Sequence, residues 1–174
     1  MQQKDMIGGY PDGTFAPDKA VSRLESIIML SKLFDQDKVQ RTYRENISKW
    51  EEKLNEYKIP DWSWPFMVFA LENKIIPSND SMLSGIMNQN RENVQMNALR
   101  YEVAVFMVNA MNWHSQMNRT AVLKYNDASE INPQAIPYID VLIRNNVISE
   151  TGDPQGNFGP NRAITRAEMA VMIS

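Results

Sequence analysis

Two short stretches place an arginine where its charge is unwelcome. In Ser22-Arg23-Leu24-Glu25 and Thr165-Arg166-Ala167-Glu168 the hydroxyl can accept the backbone N–H three residues on, while the glutamate reaches back to the cap N–H. This spacing predicts helices beginning at Ser22 and Thr165. The arginine then stands in the first helical turn, against the positive end of the helix dipole, which typically costs about 0.3–1 kcal/mol. Unpaired first-turn N–H groups beside a forked guanidinium make a ready site for a carboxylate or phosphate. The alternative is that Arg23 and Arg166 lie over a core edge or pair with a neighbouring carboxylate. On the dipole argument alone, removing both guanidiniums leaves the melting temperature nearly unchanged.

The elements that must position these arginines are repeated. A shift of 143 residues lays Gly13–Ser31 over Gly156–Ser174, and eight of the nineteen pairs are identical, including Phe15/Phe158, Arg23/Arg166 and Glu25/Glu168. A middle copy, Ala98–Met111, keeps Arg100 and Glu102 but has Leu99 where a cap hydroxyl belongs, and its glycine–proline turn is gone. A shift of 72 lays Trp62–Ile76 over Gln134–Ile148. Each full unit reads as helix, turn-rich loop, helix. The resulting division is the second half of repeat one at 1–34, an insert at 35–58, a divergent repeat two at 59–117 and repeat three at 118–174, packed as one domain. The insert carries Val39, Tyr43, Ile47, Trp50, Leu54 and Tyr57 at spacings of three and four, an amphipathic helix of about five turns. It is read as a helix laid on the protein's own core, with a docking surface for a protein partner through residues 36–57 as the alternative.

Composition removes whole classes of function. The chain has 174 residues, no cysteine and one histidine, His114, so thiolate and multi-histidine metal sites are excluded, and no cofactor is expected. Net charge is −3, without the basic footprint of a nucleic-acid binder. No apolar run reaches the roughly 20 residues of a membrane span, and MQQKDMIGGYPDG lacks the apolar core of a secretion signal, so an exported protein would carry its signal outside this stretch. Asp153, Gln155 and Asn157 alternate like calcium ligands, but Ile164 stands where an EF-hand needs its glutamate. His114 reads as solvent-exposed, and the twelve methionines as packing. No carboxylate pair is marked out for glycosidase chemistry, so the chain is read as a non-enzyme.

The units GYPDGTFAPDKAVSRLE and GDPQGNFGPNRAITRAE resemble S-layer homology repeats, whose hallmark is a glycine-rich loop followed by a Thr-Arg-Ala-Glu helix start. Repeat three preserves that start, repeat one has Ser-Arg-Leu-Glu and repeat two Leu-Arg-Tyr-Glu; the insert and the 77–96 loop have no counterpart. The resemblance implies an all-α, mostly helical fold with long loops, its three repeats packed about a pseudo-threefold axis. It implies grooves between repeats that hold a peptidoglycan-linked anionic secondary cell wall polysaccharide, often through a pyruvylated amino sugar, and hence an extracellular place in a bacterial cell wall or S-layer. A surface-layer assembly scaffold without carbohydrate binding is the other reading. The ligand-binding candidates are Arg23, Arg166 and Arg100; Trp62, at the family's tryptophan position, for stacking on a sugar; and Tyr10, Asp12, Gly13 and Gly156 in the loops. Trp62 could equally be an ordinary part-buried aromatic, and turn geometry alone could explain the glycines. Gln134 replaces the tryptophan in repeat three, so the grooves should be unequal, and the middle copy should bind poorly through its own loop. Trp64 is expected in the core.

Overall fold

The computed structural model describes residues 15–174, and its regular structure is helical. Seven α-helices appear among the described residues: α1 Arg23–Ser31, α2 Gln36–Glu56, α3 Trp64–Glu72, α4 Asp80–Ser84, α5 Arg100–Met111, α6 Ile136–Arg144 and α7 Arg166–Ile173. The helix starts follow their local chemistry. Ser22 and Thr165 cap α1 and α7, each accepting from the N–H of its glutamate, while Glu25 and Glu168 accept the cap N–H at 3.0 Å. At α5 only the glutamate half survives, Leu99 N–H donating to Glu102 at 2.9 Å, because leucine offers no acceptor. Pro65 and Pro137 sit in the first turns of α3 and α6, where a missing N–H is harmless. The short α4, capped by Asn79, was not foreseen in the 77–96 loop.

One continuous core joins these helices. The first helix of a repeat packs on the second helix of the repeat before it: α3 on α1, and α6 on α5. The insert α2 lies along α3. Its Val39 and Leu54 are fully buried, and Tyr43, Ile47, Trp50 and Tyr57 pack against the core, so its apolar stripe is used internally and its outward face is charged. Trp64 is buried, its indole N–H donating to the Ile59 carbonyl at 2.9 Å.

The segments leading into α1, α5 and α7 meet at the centre. Val21 N–H donates to Ile164 C=O at 2.9 Å, Ile164 N–H to Ala98 C=O at 3.0 Å, and Ala98 N–H to Val21 C=O at 2.9 Å, closing a ring of three hydrogen bonds. All three residues are fully buried. A second set runs the other way round: Arg23 N–H to Met96 C=O, Arg100 N–H to Arg162 C=O and Arg166 N–H to Lys19 C=O, at 2.8–3.0 Å. Because buried backbone groups must be paired, each repeat depends on both others to satisfy its own chain. The amides of Val21, Ala98 and Ile164 should therefore exchange only with global unfolding, at one common free energy; hydrogen exchange showing one of the three opening well below the other two would contradict this.

Candidate functional site

Each first-turn arginine reaches out of its own repeat and into the next. Arg100, on α5, donates from Nε to the Phe158 carbonyl at 2.7 Å, lies 4.8 Å over the Phe158 ring and pairs through Nη1 with Glu168 on α7. Arg166, on α7, repeats this on repeat one, donating to the Phe15 carbonyl at 2.9 Å and lying 5.0 Å over the Phe15 ring. Arg23, on α1, pairs with Glu102 of α5 at 3.1 Å and donates to the Gly85 carbonyl at 2.8 Å. Pairing with a neighbouring carboxylate, the alternative open from the sequence, is thus present at Arg23 and Arg100.

This geometry changes two expectations. The first-turn amides are not spare: in α7, Arg166 and Ala167 N–H donate to Lys19 and Pro17 carbonyls, and Glu168 N–H to the Thr165 hydroxyl. In α5, Arg100 and Tyr101 N–H donate to Arg162 and Pro160 carbonyls. Any anion there would meet guanidinium side chains rather than helix amides. The arginines are also not neutral to stability. Arg166 is only 5% exposed and Arg100 stacks on a buried ring, so truncating either removes packing and hydrogen bonds that outweigh relief of the dipole.

Because Arg100 serves the loop of repeat three, the divergence of the repeat-two loop bears on Arg23 instead. The loop facing Arg100 is well built. Asp127 accepts the Phe158 and Gly159 N–H groups at 2.8 Å each, Asp153 accepts those of Gln155 and Asn157 at 2.9 Å, and the Tyr125 hydroxyl donates to the Ser149 carbonyl. Burial pushes the Tyr125 phenol up to about 12. The Asp153 carboxylate is thereby engaged as a turn acceptor. Gly152 and Gly156 both hold φ near +77°; a Cβ on Gly152 would stand 2.4 Å from the Asn157 carbonyl oxygen. Gly156 N–H already donates to Asp153 C=O at 2.8 Å, and its own carbonyl accepts from Asn126.

Arg100 and Glu168 line two neighbouring depressions. One, of about 490 Å³, adds Ile148, Ser149, Val171 and Met172. The other, about 170 Å³, adds Tyr125, Gly152, Asp153, Asn157 and Arg162. Arg162, which the sequence reading passed over, grips Glu168 with a two-pronged pair at 2.7 and 2.8 Å. Burial would raise the Glu168 carboxyl, but the Arg162 hydrogen bonds, the Arg100 charge and the Thr165 cap overrule it and hold the group at about 2. Burial also lowers Arg100, with Glu168 pulling the other way. Two guanidiniums thus share the Glu168 carboxylate, and the Asp153 carboxylate lines the same depression, so cationic and anionic groups balance there. Among the described residues Arg100 donates from Nε and Nη1, and no hydrogen bond from its Nη2 is formed.

The other candidates scatter. Trp62 is 57% exposed and lines neither Arg100 depression. Gln134 lines a separate cleft of about 570 Å³ with Tyr101, Tyr138 and Arg119. Tyr10, Asp12 and Gly13 lie outside the described residues. No helix among the described residues is long and apolar enough to cross a membrane.

The folded Glu168 carboxyl sits below its ordinary value of 4.5, so its stabilisation is full above about pH 4.5 and is lost as pH falls through about 2. Glu168→Gln should therefore melt well below the parent at pH 7, by on the order of 1–3 kcal/mol for a carboxylate lost from two guanidiniums. The gap should close between pH 4.5 and pH 2. Melts showing a gap constant with pH would place the stabilisation elsewhere.

Comparison with known proteins bears on this geometry. The S-layer homology domain model matches residues 2–25 and 124–170. The chain thus carries S-layer homology sequence in the two segments with the glycine turns; neither includes Arg100. It is also similar to the Surface-layer 125 kDa protein of Lysinibacillus sphaericus, 23% identical over 170 residues, covering 97% of this chain but only 13% of that protein.

Proposed function

We propose, with the S-layer homology segments as premise, that this module holds its parent polypeptide on a bacterial cell surface. It does so by non-covalent binding of an anionic, peptidoglycan-linked secondary wall polymer. The finer part of the reading is that a pyruvyl carboxylate of the polymer docks at Arg100 and Arg162. The single observation that carries it is the cleft in which these two guanidiniums converge on the Glu168 carboxylate while Arg100 Nη2 makes no hydrogen bond within the described residues. A carboxylate or phosphate accepts a forked guanidinium in plane, which a neutral sugar cannot do. The closed hydrogen-bond ring supports a pseudo-threefold arrangement in which each groove is built from an arginine of one repeat and the loop of the next. The exposed indole of Trp62 supplies a flat apolar face suited to the C–H side of a sugar ring. Nothing in this reading requires catalysis; the module binds. The apolar face of α2 is covered by α3, so a scaffold working through residues 36–57 would have to use the helix's charged side.

The reading is tested by co-sedimentation with purified walls, intact or stripped of their polymer by hydrofluoric acid. The parent should pellet with intact walls alone. Arg100→Lys with Arg162→Ala should reduce the bound fraction at least tenfold, since bidentate geometry is lost at one position and charge at the other. Trp62→Ala should weaken binding while leaving the melting temperature within about 0.5 kcal/mol of stability, the usual range for an exposed side chain. Equal pelleting with stripped walls, or undiminished pelleting of the double variant, would remove the anionic-polymer reading.

A further inference from the structure

A further cleft, of about 580 Å³, opens where the C-terminal ends of α3 and α5 face the start of α2. It is lined by Lys38, Lys74 and His114, by the carboxamides of Asn73, Asn109 and Asn112, and by Phe34, with no carboxylate. None of the first-turn arginines contributes to it.

The charge of Lys38 is opposed by its place in the fold, whereas that of Lys74, at the C-terminal end of α3, is favoured by the dipole. Lys38 is the third residue of α2, at the positive end of the helix dipole. Lys74 follows α3 with φ of 57°, in the left-handed region where glycine is the residue without strain. Neither has an ion-pair or side-chain hydrogen-bond partner among the described residues, whereas Lys49 and Lys53 of the same helix α2 pair with Glu72 and Asp80. Two exposed cations without an ion-pair partner among the described residues thus flank one concavity that no carboxylate lines, which favours an anion there.

The polar groups beside them are held in fixed orientations. Asn109 Nδ2 donates to the Ile75 carbonyl at 3.0 Å, which turns its oxygen toward His114 Nε2 at 2.7 Å, so Nε2 carries a proton. The imidazole stands edge-on to Tyr138, their rings 6.3 Å apart. Asn73 donates to the Phe69 carbonyl at 2.9 Å, which leaves its amide oxygen as an acceptor for a hydroxyl. Phe34, set edge-to-face on Phe69, closes one side with an apolar ring. The volume lies within the roughly 300–1,000 Å³ usual for small-ligand sites. We infer that this cleft binds an acidic saccharide, a carboxylate held between Lys38 and Lys74 and hydroxyls held by the flanking carboxamides, independently of the arginine groove.

His114 is the chain's single histidine, so its ring resonances report on this cleft alone. Titration with tetragalacturonate, followed by ¹H–¹⁵N correlation of the imidazole, should shift those signals saturably, and neutral maltotetraose should not. Lys38→Ala with Lys74→Gly should raise the midpoint at least tenfold. The Lys74→Gly change should at the same time raise the melting temperature by relieving the positive φ, so weakened binding cannot be assigned to unfolding. Arg100→Lys with Arg162→Ala should leave the titration unchanged, which separates this site from the wall-polymer reading. No saturable shift, an unchanged midpoint in the lysine variant, or loss in the arginine variant would overturn the inference. Inorganic phosphate matching the oligosaccharide's midpoint would overturn its saccharide part.

Discussion

Three backbone hydrogen bonds, Val21 to Ile164, Ile164 to Ala98 and Ala98 to Val21, hold the centre of this fold. Each closes a donor and an acceptor that are fully buried, where an unmet partner costs on the order of 1–3 kcal/mol. No repeat can form its share alone, because every bond crosses from one repeat to another. The second set of bonds, from the first-turn amides of Arg23, Arg100 and Arg166, then fixes where each helix starts relative to its neighbour. From that point the arginine side chains have little choice: leaving the helix in its first turn, they extend over the neighbouring repeat's loop.

That cross-repeat reach makes the proposed binding groove shared property. The loop of repeat three supplies the Phe158 carbonyl and ring, and repeat two supplies the guanidinium that lies on them. The same relation joins Arg166 to Phe15. A change in one repeat's loop is therefore felt by another repeat's arginine. On the proposed reading, structural and ligand-binding duties are combined in one side chain: Arg100 ties α5 to loop three through one part of its fork and leaves Nη2 over.

Much of this was legible where the cause is local. The Ser22 and Thr165 caps follow from a four-residue pattern, the insert helix from apolar spacing, and the burial of Trp64 and exposure of His114 from their flanks. What was not legible depends on neighbours far along the chain. A shift of 143 residues shows that Arg23 and Arg166 are equivalent, but no internal comparison says which repeat each will touch. The occupied first-turn amides were missed for the same reason, since Lys19, Pro17, Pro160 and Arg162 read only as loop residues. Arg162 did carry a signal, lying six residues before Glu168 in a loop that folds back. The left-handed Lys58, Lys74, Asn112 and Asn146 end helices where glycine is the usual cue, so helix ends were harder to place than helix starts.

The repeats also differ in charge at the place where an anion would sit. In loop three, two guanidiniums face Glu168 with Asp153 lining the same depression, so an incoming anion meets two planar forks rather than a surplus of charge. In repeat two the position of Arg162 is taken by Met96, an exposed thioether, so Arg23 and Glu102 neutralise each other and no cation is left over. Repeat one has Lys19 at that position, which restores a charge but not a planar fork. On the proposed reading an anionic polymer would engage the loop-three groove first. The loop-two groove is then the weakest for two independent reasons, a missing second cation and a loop without the glycine turn. Both reasons lie in the divergent repeat, while the arginine that they disable belongs to repeat one.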